Sequence, residues 1–157
     1  PDMSFNVRDA SNALFIEAGT GDVGVGTTTP SHPLEVGTNT GNGNGAHVTA
    51  GGVWTNGSSR TFKTNFKNVD AHGVLERLAA VPVMEWEYRN SDEGRHMGPV
   101  AEDFFDAFNL GNDNRYIGTI DAAGVSMAAI QGLYELVREQ QALITALTTR
   151  LDELERR

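Results

Sequence analysis

The 157-residue chain is acidic, with a formal net charge of −9, and 39% of its residues are hydrophobic. That charge argues against a broad nucleic-acid surface. The lack of cysteine excludes disulfides, a thiol nucleophile and a thiolate metal site. No apolar run approaches the ~20 residues of a membrane helix and no secretory leader pattern opens the chain, so membrane insertion is not expected. The opening Pro1-Asp2-Met3 reads as a piece of something longer. His32, His47, His72 and His96 are scattered without metal-ligand spacing, so neither a metal nor another cofactor is expected.

Glycine and charge divide the chain. Of 18 glycines, 11 lie at or before Gly57, and of 12 Lys and Arg residues only Arg8 lies there. Residues 13–18 are apolar β-formers, 19–22 a turn cluster, and Val23-Gly24-Val25-Gly26 a second short strand in which glycine permits close backbone approach. Leu34-Glu35-Val36 alternates in-out-in and predicts a third. Residues 37–45, built from Gly, Asn and Thr, predict a flexible loop or a glycine-lined turn array, and 46–54 one more strand. Strands this short do not bury a core alone. Several chains pooling them into an intertwined β-fibre is one solution; a loop-rich linker fits the pattern equally.

Further on, Asp70 is a candidate N-cap for a short helix over 70–78, whose apolar face is Val74, Leu75 and Leu78. Val83 to Tyr88 alternates and predicts a strand with Met84, Trp86 and Tyr88 on one face. Ala101 to Phe108 predicts a helix with Phe104, Phe105 and Phe108 inward, and Glu102 and Asp103 in its first turn, where acids favour the dipole. Tyr116 to Ile120 alternates as a strand, and Asp121 then offers an N-cap. His96 is read as hydrogen-bonded within the fold. Trp54 and Tyr88 offer rings on which a host-surface glycan can stack, although core or interchain packing also accounts for them.

The last element has the clearest pattern. Ile130, Val137, Ile144 and Leu151 take position a of a heptad, and Leu133, Gln140, Leu147 and Leu154 position d. The alternative is an amphipathic helix lying on its own domain. Gln140 is a polar layer that fixes register at a cost in stability. Leu136 and Leu143 at g widen the stripe, which suits more than two helices, whereas β-branched a with Leu d leans toward two. Arg150 and Glu155 are placed to pair between parallel chains.

Ser58-Ser59-Arg60-Thr61-Phe62-Lys63-Thr64-Asn65-Phe66 resembles the start of the peptidase S74 family, the C-terminal intramolecular chaperone domain of phage tailspikes and tail fibres. The serine, the lysine five residues on and the asparagine two further match S-D-x-x-x-K-x-N-I; Ser59 replaces the aspartate and Phe66 the isoleucine. Leu78 to Trp86 is similar to the family's L-x-x-x-P-V-x-F-x-W strand, His96 to Asp103 to its H-I-G-F-I-A-Q-E, and Gly124 to Gln131 to its G-V-A-L-A-A-I-Q. Gly24 to Pro30 and Leu34 to Val36 resemble the V-G-I-G-T-x-x-P…L-x-V stretch that precedes this domain in phage fibres.

The resemblance implies an α+β chain in three parts. Residues 1–57 would end a trimeric, intertwined β-fibre; 58–120 would be the chaperone and autopeptidase core; 121–157 would be the coiled-coil helix of a homotrimer. It implies a virion component, assembled in the host cytoplasm, whose partner is the upstream fibre of its own polypeptide. It also implies single-turnover cleavage of Gly57–Ser58, with Ser58 as nucleophile and Lys63 as general base. A lysine serves as base only when its amine is neutral, which takes desolvation or a neighbouring cation such as Arg60. The alternative is a non-cleaving structural or receptor-binding fibre tip. Taken alone, S-x-x-x-x-K also fits a loop serine and a solvated lysine.

Overall fold

The structure, a computed structural model, describes residues 2–7, 10–37, 41 and 43–157. It divides into two compact units, Pro1–Lys67 and Asn68–Arg157.

The first unit is one six-stranded sheet in sequence order. Its strands are β1 (Met3–Val7), β2 (Ala10–Ile16), β3 (Val23–Val25), β4 (Leu34–Val36), β5 (Ala46–Val48) and β6 (Trp54–Thr55). β3 and β4 run parallel, with Val23 opposite Leu34; the other neighbours are antiparallel. The short strands are therefore a sheet and not a loop-rich linker. The turn cluster at 19–22 forms as its composition predicts, with Gly21 at φ 82 and its N–H donating to the Glu17 carbonyl at 2.8 Å. Gly24 does sit where a side chain would not fit, since a Cβ there would lie 3.0 Å from Thr27 Cγ2.

β1 adds a strand that the sequence pattern does not predict. The strand expected over 46–54 is two strands, because Gly52 takes φ 79 and turns the chain between them. The turn array expected over 37–45 lies partly outside the described residues, at 38–40 and 42; residues 41 and 43–45 are turns. Burial in this unit is thin: among the described residues the buried side chains include Ala46, Thr27 and Glu35, none of them large and apolar.

Glu35 reverses the in-out-in expectation, because it is buried while Leu34 and Val36 are half-buried. Its carboxylate is satisfied there. The Ser31 N–H donates to Oε2 at 2.8 Å and His32 Nδ1 lies 3.2 Å from the same oxygen. His47, its cross-strand partner, stacks on the His32 ring with centroids 3.5 Å apart. Burial works to raise the Glu35 pKa, but the Ser31 and His32 hydrogen bonds and the charges of His32 and His47 outweigh it and hold it below its ordinary value.

The second unit packs α1 (Ala71–Ala80), α2 (Ala101–Phe108) and the 37-residue α3 (Thr119–Glu155) around Val74, Phe104, Val125 and Ala129. Leu75, Leu78, Phe108, Ile117 and Ala128 close over that core. Asp70 caps α1 as its residue type predicts, accepting from the Gly73 N–H at 3.1 Å. α2 has its predicted bounds; Asn109 ends it in the left-handed conformation. Phe104 is buried against Phe108, with ring centroids 5.0 Å apart, whereas Phe105 is half-buried.

β7 (Met84–Trp86) pairs antiparallel with β8 (His96–Gly98), so the predicted strand is shorter than 83–88. His96 is held by ring stacking on Trp86, at 4.7 Å, rather than by a hydrogen bond; its buried Nε2 has no hydrogen-bond partner among the described residues and lies 3.7 Å from Glu93 Oε2. The strand expected at 116–120 does not form. A short alternating stretch without a partner gains no ladder bonds, whereas helix gains one bond per residue. α3 therefore starts at Thr119, with Gly118 as N-cap and Asp121 inside the first turn.

α3 presents two faces. Val125, Ala129 and Gly132 are buried, and a Cβ at Gly132 would lie 2.7 Å from the Ala71 carbonyl carbon, so α1 and α3 touch backbone to backbone there. Roughly a quarter turn around the axis lies the a/d stripe. Ile130, Leu133, Val137, Ile144, Leu147, Leu151 and Leu154 are each 49–66% exposed, and Gln140 is exposed among them. The helix thus does pack on its own unit, but with a face other than its heptad seam.

Candidate self-cleavage site

Ser58 and Lys63 are five residues apart and belong to the first unit. The chain between them makes one turn of 3-10 helix, Arg60–Phe62. Ser59 starts that turn: its Oγ accepts from the Thr61 N–H at 3.3 Å and its carbonyl accepts from the Phe62 N–H at 3.0 Å. The Lys63 N–H closes the turn on the Arg60 carbonyl at 3.2 Å. Such a turn brings residues at its two ends close together. As a result Lys63 Nζ donates to Ser58 Oγ at 2.6 Å.

Ser59 and Phe66, which depart from the pattern that this segment resembles, each make a local contact. Serine and aspartate are both N-cap residues, so Ser59 does locally what an aspartate there could do. Phe66 supplies a ring, and the Arg60 guanidinium lies 4.7 Å from its centroid. Arg60, the neighbouring cation considered for Lys63, is thus engaged with Phe66. Ser58 and Lys63 are both exposed to solvent in the single chain.

Gly57, on the other side of the candidate bond, is half-buried and closely packed. A Cβ on it would lie 2.8 Å from Asn44 Cβ and 3.1 Å from the Asn44 carbonyl carbon. Asn56 is held as well, accepting at Oδ1 from Trp54 Nε1 at 2.9 Å. Sequence reasoning missed Asn44 and Asn56. Asparagine beside glycine was read as turn chemistry, and nothing in the pattern tells which segment a turn will pack against.

The structure therefore brings Ser58, Lys63 and Gly57 into one place. The candidate trimer residues Ile130 to Leu154 lie on one exposed stripe of α3. Among the described residues no cluster of His, Asp and Glu has the arrangement of a metal site, and no helix is long and apolar enough to cross a membrane.

The Peptidase S74 family model, described as chaperone of endosialidase, matches residues 58–109, about a third of the chain. The match begins at Ser58 and ends just past α2. No curated protein and no solved structure matches the chain.

Proposed function

We propose that this chain, with its Peptidase S74 segment at 58–109, is the trimeric end of a phage tail fibre or tailspike that folds its own upstream strands and then cuts itself at Gly57–Ser58. The observation that carries the cleavage is the 2.6 Å contact between Lys63 Nζ and Ser58 Oγ. It lies within the 2.6–3.2 Å reach expected of a nucleophile and its base.

In the reaction, a neutral Lys63 amine accepts the Ser58 Oγ–H proton as Oγ attacks the Gly57 carbonyl carbon. The tetrahedral intermediate collapses with loss of the Ser58 nitrogen, which takes the proton from Lys63. This leaves Gly57 as an ester on Oγ and a free Ser58 amine. Water then attacks the ester, giving a Gly57 carboxylate and restoring the Ser58 hydroxyl. Both side chains are exposed in the single chain. Packing of neighbouring chains would exclude water and favour the neutral amine, which couples cleavage to assembly.

The trimer reading is supported by the exposed heptad stripe. Seven large apolar side chains in water on one helix face form a patch that needs partners, and the 3.5-residue period is that of helices wound on one another. The chaperone reading is supported by the thin burial among the described residues of the first unit. Ordering short strands costs chain entropy before long-range contacts offset it. A terminal coiled coil lowers that cost by raising the effective concentration of the strands. On this reading residues 1–57 end the fibre, 58–120 form the chaperone and autopeptidase core, and 121–157 the coiled coil, in a virion component assembled in the host cytoplasm.

The test is a denaturing gel and a native mass of the wild-type chain beside Ser58→Ala and Lys63→Ala. A trimer whose wild-type chain yields a fragment starting at Ser58, with both variants uncut, is expected. A wild-type trimer that stays at full length overturns self-cleavage.

A second reading, a non-cleaving receptor-binding tip, is favoured by the exposed ring of Tyr88. It lines a cleft of ≈ 500 Å³ with Trp86, Tyr116, Arg115 and Glu102. Trp54 is also exposed, but its indole N–H is engaged by Asn56. Binding to a glycan array that survives Ser58→Ala and is lost in Tyr88→Ala would support this reading.

A further inference from the structure

We infer that Asn44 is a positioning residue for the cleavage, holding Gly57 so that its carbonyl meets Ser58 Oγ. The inference rests on the self-cleavage reading above.

Attack by a serine on the carbonyl that precedes it in the chain closes a five-membered ring. That geometry is available only over a narrow range of torsion about the Ser58 N–Cα bond, which joins the Gly57 peptide to the turn that follows. The turn holds the Ser58 side of that bond, whereas glycine restrains its own side least of any residue, so Gly57 must be held from outside. Asn44 is what touches it. A Cβ added to Gly57 would meet the Asn44 carbonyl oxygen first, with Asn44 Cβ at 2.8 Å and its carbonyl carbon at 3.1 Å.

Asn44 is itself held in place. It has φ 57, the left-handed region that asparagine tolerates and β-branched residues do not. Gly43 before it has φ 118 and packs on the end of β4, where a Cβ would lie 2.9 Å from Val36 Cγ1. Asn56, next to Gly57 on the other side, is tied to Trp54. The two residues before the candidate bond are thus gripped from β4, through Gly43 and Asn44, and from β6.

A second observation sets Asn44 apart from an ordinary turn residue. Its Oδ1 is buried and finds no hydrogen-bond partner among the described residues. A glycine would supply the same φ without an unpaired acceptor. Unmade hydrogen bonds and strained backbone gather at functional positions. Here the side chain stands beside the residue whose carbonyl is attacked.

The experiment follows the cleavage rate of assembled wild-type, Asn44→Val, Asn44→Asp and Ser58→Ala chains across pH, with native mass recorded for each. Asn44→Val is expected to assemble and to cleave about tenfold to a hundredfold more slowly, the scale of a misplacement near 1 Å. The pH midpoint of its rate should not move, because the Ser58–Lys63 pair is untouched. Asn44→Asp, which also tolerates φ > 0, is expected to cleave at least about tenfold faster than Asn44→Val. If the wild type cleaves, Ser58→Ala does not, and Asn44→Val matches the wild-type rate, the inference falls and the self-cleavage reading stands. A shifted midpoint, or an Asn44→Asp rate as low as that of Asn44→Val, also overturns it. An uncut wild-type trimer removes both. Should Asn44→Val fail to assemble, the comparison of Asn44→Asp with wild type decides: a loss of more than about a hundredfold overturns the inference.

Discussion

Lys63 Nζ donates to Ser58 Oγ at 2.6 Å across a single turn of 3-10 helix. The turn makes a five-residue sequence spacing into a hydrogen bond, and Ser59 caps that turn. The contact is local and needs no help from the second unit. What the single chain does not supply is a water-excluded setting, since both side chains are exposed.

That division separates base from charge at position 63. Arginine keeps the positive charge and the reach of lysine but stays protonated at any ordinary pH. Lys63→Arg is therefore expected to leave the chain uncut over a period in which the wild type is fully processed, while native mass still shows the assembled trimer. Fragment starting at Ser58 in that variant, seen by intact mass, would show that position 63 acts as a charge and not as a base.

The exposed stripe of α3 can be tested apart from the packed face. Ile144→Asp places a charge at an a position far from the core of the second unit. The expected result is a chain that sediments as a monomer while amide hydrogen exchange still shows protection at 71–80 and 101–108. A trimer of unchanged stability would mean that another surface assembles the chains.

At Gly132 the prediction is steric. Gly132→Val places side-chain atoms where the Ala71 carbonyl already sits, so α1 and α3 must separate. Overpacking of this kind costs about 1–3 kcal/mol. Asp70→Ala at the start of α1 is expected to cost about 1 kcal/mol through loss of the cap. Thermal melts should rank the two with Gly132→Val at or below Asp70→Ala; the reverse order would place the close contact of these helices elsewhere.

Glu35 gives the first unit a pH dependence. Its pKa is lowered in the fold from an ordinary value of 4.5. The folded state therefore binds this proton less readily than the unfolded chain, and its contribution to stability is present above about pH 4.5. It is lost as pH falls through the lower folded value. Wild type should lose melting temperature between pH 5.5 and 3.5 more steeply than Glu35→Gln, in which no carboxylate titrates at this site. Parallel curves would show that the Ser31, His32 and His47 contacts add nothing to stability.

Much of the local structure was legible because it depends on neighbouring residues. Asp70 caps α1, Phe104 faces the core from α2, and the turn at 19–22 forms where its composition puts it. The failures share a cause. Tyr116 to Ile120 alternates as a strand does, but alternation cannot report whether a partner strand is present. Glu35 looked solvent-facing until His32, Ser31 and His47 surrounded it.

The sequence by itself determined the spacing of Ser58 and Lys63, the heptad period of α3 and the order of the family-like segments, because these are properties of a linear chain. Only the tertiary structure decided that Asn44 packs on Gly57, that Gly132 meets Ala71, and that the heptad stripe of α3 is left uncovered by its own unit while another face fills the core. Each of those depends on which surfaces meet across long stretches of chain. Side-chain periodicity marks a face as apolar but does not say what will cover it.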